Sequence, residues 1–106
     1  DTRNSKVEDI IKQLYTYGID PVVVDPWADK KDAMKEYGIE LKTLEEAHDA
    51  DCIIVAVGHD EFKKMSLDEI KTYFKSVDDS KKVLLDVKGL YKVADLKKAG
   101  VSYWRL

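Results

Sequence analysis

At 106 residues the chain is one domain or part of one, long enough to bury a core without disulfides or a metal. An apolar fraction of 44% excludes a disordered chain, and 37% charged residues that nearly cancel, to a net −3, exclude the basic stripe of a nucleic-acid surface. No apolar run approaches a membrane span and no signal-peptide pattern is present, so the expected setting is the cytoplasm, with neither nucleic acid nor membrane as a partner.

The chain opens on Asp1-Thr2-Arg3-Asn4 and runs almost directly into a helix, which reads as a piece of a longer protein. That helix is expected over 5–17: Ser5 and Glu8 form a capping-box pattern, Val7, Ile10, Ile11 and Leu14 share one face, and Gly18 stops it. A strand follows over 21–24. Asp29 caps a short helix carrying Ala33, Met34 and Tyr37, which Gly38 ends. A weak strand over 39–41 leads to a second capping box, Thr43 with Glu46, and a short helix through Ala47. Cys52 to Val57 reads as a strand. Ser66 and Glu69 open a further helix with Leu67, Ile70, Tyr73, Phe74 and Val77 on its apolar face. Asp78-Asp79-Ser80 is a polar turn, Val83 to Leu85 a strand, 90–98 a helix stopped by Gly100, and Val101 to Trp104 a last strand.

Strands alternating with helices define the α/β class, here a three-layer α/β/α Rossmann-like domain with a parallel sheet. The runs Val22-Val23-Val24, Ile53-Ile54-Val55-Ala56-Val57 and Val83-Leu84-Leu85 have no polar alternation, so helices are expected to cover both faces of those strands. A doubly wound domain opens with a strand that sits mid-sheet. This chain opens with a helix, so that central strand is expected to have been lost by truncation, together with any glycine-rich phosphate loop. The strands at 22–24 and 53–57, which would flank it, should then close up on each other or be bridged by a second chain.

Each apolar run breaks into a polar cluster: Asp25-Pro26-Trp27, Gly58-His59-Asp60 and Asp86-Val87-Lys88-Gly89. In an open parallel sheet the carboxyl ends of the strands form one edge, where ligands bind. Asp25, His59, Asp86 and Lys88 are therefore expected on one rim. Asp25 suits either a ribose hydroxyl or an Asp-Pro turn. His59 suits acid–base chemistry or a phosphate contact, whereas His48 reads as surface on a short helix. Lys88, before the flexible Gly89, is the phosphate-binding candidate, with a simple pairing to Asp86 as the alternative. Cys52 reads as a small buried hydrophobe, with no basic neighbour to activate its thiol. Two histidines and one cysteine, widely spaced, make no zinc site, and Ser66 and Ser80 read as cap and turn residues without a base.

Taken together, Asp1-Thr2-Arg3-Asn4-Ser5 before a helix, Val-Val-Val-Asp-Pro-Trp-Ala-Asp at 22–29, Ala50-Asp51 before a strand, and Asp86-Val87-Lys88-Gly89 resemble the C-terminal domain of the UDP-glucose/GDP-mannose dehydrogenases over essentially the whole chain. The Tyr-Gly-Ile repeats at 17–19 and 37–39 and His59-Asp60-Glu61-Phe62 look most like the branch acting on UDP-N-acetylhexosamines. The resemblance implies a UDP-sugar-binding domain of an enzyme that oxidises a sugar's primary alcohol to a carboxylate, reducing two NAD. It implies upstream NAD-binding and middle domains that hold the catalytic cysteine and base, and a homodimer as the intact enzyme. It also implies that this piece alone is inactive, with no catalytic and no metal-ligating residue of its own. Arg3 matches an arginine that reaches the NAD side of the cleft, the alternative being a pairing with Asp1 or a sheet-edge carbonyl. Lys88 matches a basic residue, often arginine, that contacts the UDP-sugar. The rival readings are a stand-alone nucleotide-binding or regulatory module without catalysis, and a phosphoacceptor signalling domain. The latter lacks its acidic pair after a first strand.

Overall fold

The computed structural model describes residues 5–26 and 29–105, the side chains at 5, 6, 36 and 37 apart. The Asp1–Asn4 segment with Arg3, Trp27-Ala28 and the Ser5 side of the first capping box lie outside the described residues. The chain forms two compact units, Asp1–Ala47 and His48–Leu106. Among the described residues all strand pairing is parallel and helices alternate with strands, the open α/β, Rossmann-like arrangement expected.

In the first unit, helix α1 spans Ser5–Thr16 and ends where Gly18, at φ 75°, turns left-handed. The Gly18 and Ile19 amides then return to the Tyr15 and Leu14 carbonyls at 2.9 and 3.0 Å, which closes orphan acceptors of the last turn. Strand β1, Val23–Val24, pairs with β2, Leu41–Lys42, and helix α2, Lys30–Tyr37, makes the crossover between them. Asp29 caps α2: one carboxylate oxygen accepts from the Lys31 and Asp32 amides at 2.8 and 3.1 Å. Gly38 closes it in the left-handed region. Thr43 and Glu46 satisfy each other reciprocally and start a single 3-10 turn over Leu44–Glu46. Ile11, Ala33, Ile39 and Leu41 are the core, with Val7 and Val23 packed against it. Val22 departs from the expected two-faced burial: it precedes the strand and is 59% exposed, because a ladder of two residues is all that β2 offers.

In the second unit, β3 (Cys52–Val55), β4 (Val83–Asp86) and β5 (Ser102–Arg105) form a three-stranded sheet in that order. Two short helices, α3 (Asp60–Lys63) and α4 (Leu67–Lys71), and a 3-10 turn at Asp79–Lys81 connect β3 to β4, and α5 (Val93–Ala99) connects β4 to β5. Val55, Met65, Ile70, Phe74, Leu84, Leu96 and Val101 are buried, Leu84 and Leu96 almost completely. Asp79 bridges two lysines, accepting from Lys82 at 2.7 Å and Lys71 at 2.9 Å, which ties α4 to the approach to β4.

Several expectations need correction. The helix after Ser66 stops at Lys71 instead of reaching Val77, although Ser66 does cap it by accepting from the Glu69 amide at 3.1 Å. The reason is non-local: the Ala50 amide and carbonyl bond to Tyr73 and Lys75, drawing that stretch into a bridge. Helix α3 has no forecast, and α5 starts at Val93 instead of 90 because the Leu90 and Tyr91 amides are engaged elsewhere. The strands at 22–24 and 53–57 belong to separate sheets, each having found its own parallel neighbour, β2 and β4. Strand β4 is not buried equally on both faces: Leu84 and Asp86 are buried while Val83 and Leu85 are half-buried. Cys52, expected inside, is exposed.

Candidate functional site

The C-terminal edge of the β3-β4-β5 sheet brings together His59, Asp86 and Lys88. Asp25 follows β1 in the other unit, half-buried. Strand β4 ends at Asp86, and the chain turns back at Gly89, whose φ of +66° lies in the left-handed region that a side chain disfavours. The Asp86 side chain has no exposed surface. Its two oxygens accept from the Leu90 and Tyr91 amides at 3.0 and 2.9 Å. A buried carboxylate is costly unless it is hydrogen-bonded, and these amides are its compensation. Asp86 therefore builds the loop, and the alternative of a pairing with Lys88 is not made.

Lys88 stands exposed on that loop, and among the described residues no hydrogen bond or ion pair holds its ammonium. The loop beneath it is fixed from several sides. The Val87 amide continues the ladder to the Val55 carbonyl at 3.0 Å. The Tyr91 hydroxyl donates to the Met65 carbonyl at 3.3 Å. Burial, then the negative charge of Asp86 and Glu69, pushes the Tyr91 phenol up from its ordinary pKa, so it stays a donor. From β5, Arg105 Nε donates to the Tyr91 carbonyl at 3.0 Å and Nη2 to the Gly89 carbonyl at 3.3 Å. Arg105 escapes sequence reading because only the register, which sets it opposite Asp86, brings it to this loop.

The neighbouring loop, after β3, is in contact with this one: a Cβ at Gly58 would meet Leu90 Cδ2 at 3.5 Å. His59 caps α3 through its backbone, its carbonyl accepting from the Phe62 and Lys63 amides at 3.0 Å. Its ring is partly buried, tilted against Phe62 with centroids 5.8 Å apart. Trp104 is exposed at the same end of the sheet, over a shallow apolar hollow formed with Leu85, Asp86 and Val87.

The remaining candidates are placed away from chemistry. The Cys52 thiol has its pKa raised, first by partial burial and then by Asp51, which disfavours the thiolate. His48 is exposed beyond the 3-10 turn, not on a helix, with Nδ1 2.9 Å from Asp49. Among the described residues no cluster of His, Cys, Asp and Glu is arranged to hold a metal, and no helix is long and apolar enough to cross a membrane.

With this geometry in hand, residues 1–93 match the UDP binding domain of the UDP-glucose/GDP-mannose dehydrogenase family. A UDP-N-acetyl-D-glucosamine 6-dehydrogenase of Pseudomonas aeruginosa is 42% identical over 90 residues, covering 85% of this chain and 20% of the relative. The enzyme of the same name from Salmonella typhi is 38% identical over 88 residues, 83% of this chain and 20% of the relative. A UDP-N-acetyl-D-mannosamine dehydrogenase of Methanococcus maripaludis is 35% identical over 101 residues, 94% of this chain and 22% of the relative. The chain thus spans about a fifth of the length of these relatives. No solved structure matches it.

Proposed function

Because the chain belongs to the UDP-glucose/GDP-mannose dehydrogenase family, we propose that residues 1–106 act as the UDP-sugar-binding domain of an NAD-dependent nucleotide-sugar 6-dehydrogenase. The substrate of that enzyme is a UDP-hexose or UDP-N-acetylhexosamine, and its product is the uronic acid for polysaccharide biosynthesis. The reading includes upstream NAD-binding and middle domains in the same chain, a cytoplasmic setting and a homodimer.

The observation that carries it is the exposed Lys88 ammonium, held on a hydrogen-bonded loop at the ligand-binding edge of a parallel sheet. The ammonium is a point charge with three donors, suited to the diphosphate of a UDP-sugar. Asp86 and Tyr91 fix the backbone of the surrounding loop, and the exposed Lys88 stands on it.

The described residues do not by themselves fit a dinucleotide: no G-x-G-x-x-G run joins a strand to a helix, and Gly58 stands singly after β3. NAD therefore belongs to the rest of the enzyme, with Arg3 as this chain's contact to the cofactor side. The resemblance puts the catalytic cysteine and base in the upstream domains, so the chain alone should not reduce NAD with any UDP-sugar.

Kinetics of Lys88→Ala in the full-length protein test the reading. A phosphate contact present in both ground and transition states is uniform binding, so KM for the UDP-sugar should rise roughly tenfold with kcat little changed. An unchanged KM removes Lys88 from the site. Arg3→Ala should weaken NAD binding without loss of stability, and the reverse pattern makes Arg3 structural.

A further inference from the structure

We propose that Arg105, which lies beyond the family-matched residues, is a positioning residue: its guanidinium locks the loop that presents Lys88. This rests on the reading of Lys88 as the diphosphate contact.

Three observations combine. First, the Arg105 guanidinium bonds two carbonyls of one loop, those of Gly89 and Tyr91, across 16 and 14 residues of chain. The planar fork suits this, since Nε–H and Nη2–H lie side by side in one plane on two nitrogens and meet two carbonyls at once, while a lysine ammonium brings a single nitrogen. Second, the loop is gripped on two sides. Asp86 takes the Leu90 and Tyr91 amides from the buried side, and Arg105 takes the carbonyls flanking them. Third, the fit is close. A Cβ at Gly89 would lie 3.2 Å from Arg105 Nη2 and 3.3 Å from Cζ, so the missing side chain leaves the guanidinium room to lie against the backbone.

Lys88 stands between these anchors, with no hydrogen bond or ion pair to its ammonium among the described residues. A long, exposed lysine has many rotamers, and fixing its backbone is how the fold limits the space its ammonium samples. Without Arg105 the loop would still be anchored by Asp86, but the carbonyls of Gly89 and Tyr91 would turn to water. Lys88 would then approach the diphosphate from a wider set of backbone conformations. The effect expected is on substrate affinity and not on chemistry.

The test uses the full-length protein with Arg105→Ala, Arg105→Lys, Lys88→Ala and the Arg105→Ala/Lys88→Ala double variant. Hydrogen exchange of the Leu90 and Tyr91 amides should quicken roughly tenfold in Arg105→Ala, with the Leu84 amide in mid-strand as the folding control. KM for the UDP-sugar should rise severalfold with kcat retained, and Arg105→Lys should recover part of it. In the double variant KM should be no higher than in Lys88→Ala alone, since Arg105 acts through Lys88. Unchanged exchange at Leu90 and Tyr91 overturns the proposal. So do KM increases that multiply in the double variant, which would mean that Arg105 touches substrate or acts globally. If Lys88→Ala leaves KM unchanged, the function reading fails separately, and the exchange measurement alone then judges Arg105.

Discussion

The two aspartates at strand ends, Asp25 just after β1 and Asp86 closing β4, differ in what the surrounding chain makes of them. In the first unit a two-residue ladder supports a core of four buried side chains, and Val22 beside the strand stays exposed. In the second unit a three-stranded sheet with four-residue strands buries Leu84, Leu96 and the Asp86 carboxylate outright. The same residue type after the same kind of apolar run is half-buried in one case and a fully enclosed anchor in the other. Strand length and neighbours decide how deeply an aspartate at a sheet edge is enclosed. A buried polar anchor is tenable only where enough backbone donors converge on it.

Removing that anchor is the severest way to break the contrast. Asp86→Ala leaves two part-buried amides without acceptors and deletes two charge-assisted hydrogen bonds, which should cost about 3–6 kcal/mol. Urea unfolding measures it, and a loss no larger than that of Asp25→Ala would erase the distinction between the two strand ends. Next, the cores can be compared directly: Leu96→Ala should cost about 3–5 kcal/mol and Leu41→Ala about 2–3, both within the range for buried leucine. Equal losses would show the two cores to be equally well packed.

A smaller effect sharpens the picture at the loop itself. Gly89→Ala places a side chain at φ +66°, which should cost about 1–2 kcal/mol in thermal or urea unfolding. The Arg105 side chain can shift by the few tenths of an ångström the new methyl requires. A neutral result would mean that the loop relaxes out of the left-handed region.

The smallest effect concerns pH. Lys82 foremost, then Lys71, holds the Asp79 carboxyl below its ordinary value of 3.8. A depressed folded-state pKa contributes stability above the unfolded value and loses it as pH falls through the folded one. Asp79→Asn should therefore leave the protein slightly less stable at neutral pH and flatten the decline below pH 3.8. An acid limb that keeps its slope would take Asp79 out of that transition.

Much of the local structure was legible before any fold was known. Asp29 and Gly38 bracket α2, Thr43 and Glu46 cap their turn, and Gly18 and Gly100 stop α1 and α5, because each device acts within a few residues through backbone hydrogen bonds. The strand positions and the parallel class followed from apolar runs, whose signal also lies in neighbouring residues. The rim was half legible. The spacing from Val83-Leu84-Leu85 places Lys88 at a strand end, but nothing in the sequence shows that Asp86 is spent on the Leu90 and Tyr91 amides.

By itself, then, the sequence determined the alternation of helices and strands apart from α3, several of the caps and stops, and which strand ends carry polar residues. Only the tertiary structure decided that the strands divide into two sheets, that Tyr73 and Phe74 leave α4 for a bridge to Ala50, that Cys52 is exposed, and that Arg105 reaches the loop at Gly89. It also decided the fate of Asp86, whose oxygens find amides four and five residues onward only once the loop has folded over β4. The division follows the range of the interactions. Caps and stops are closed by neighbours along the chain, whereas register and the burial of a charge depend on partners that only the folded chain brings within hydrogen-bond reach.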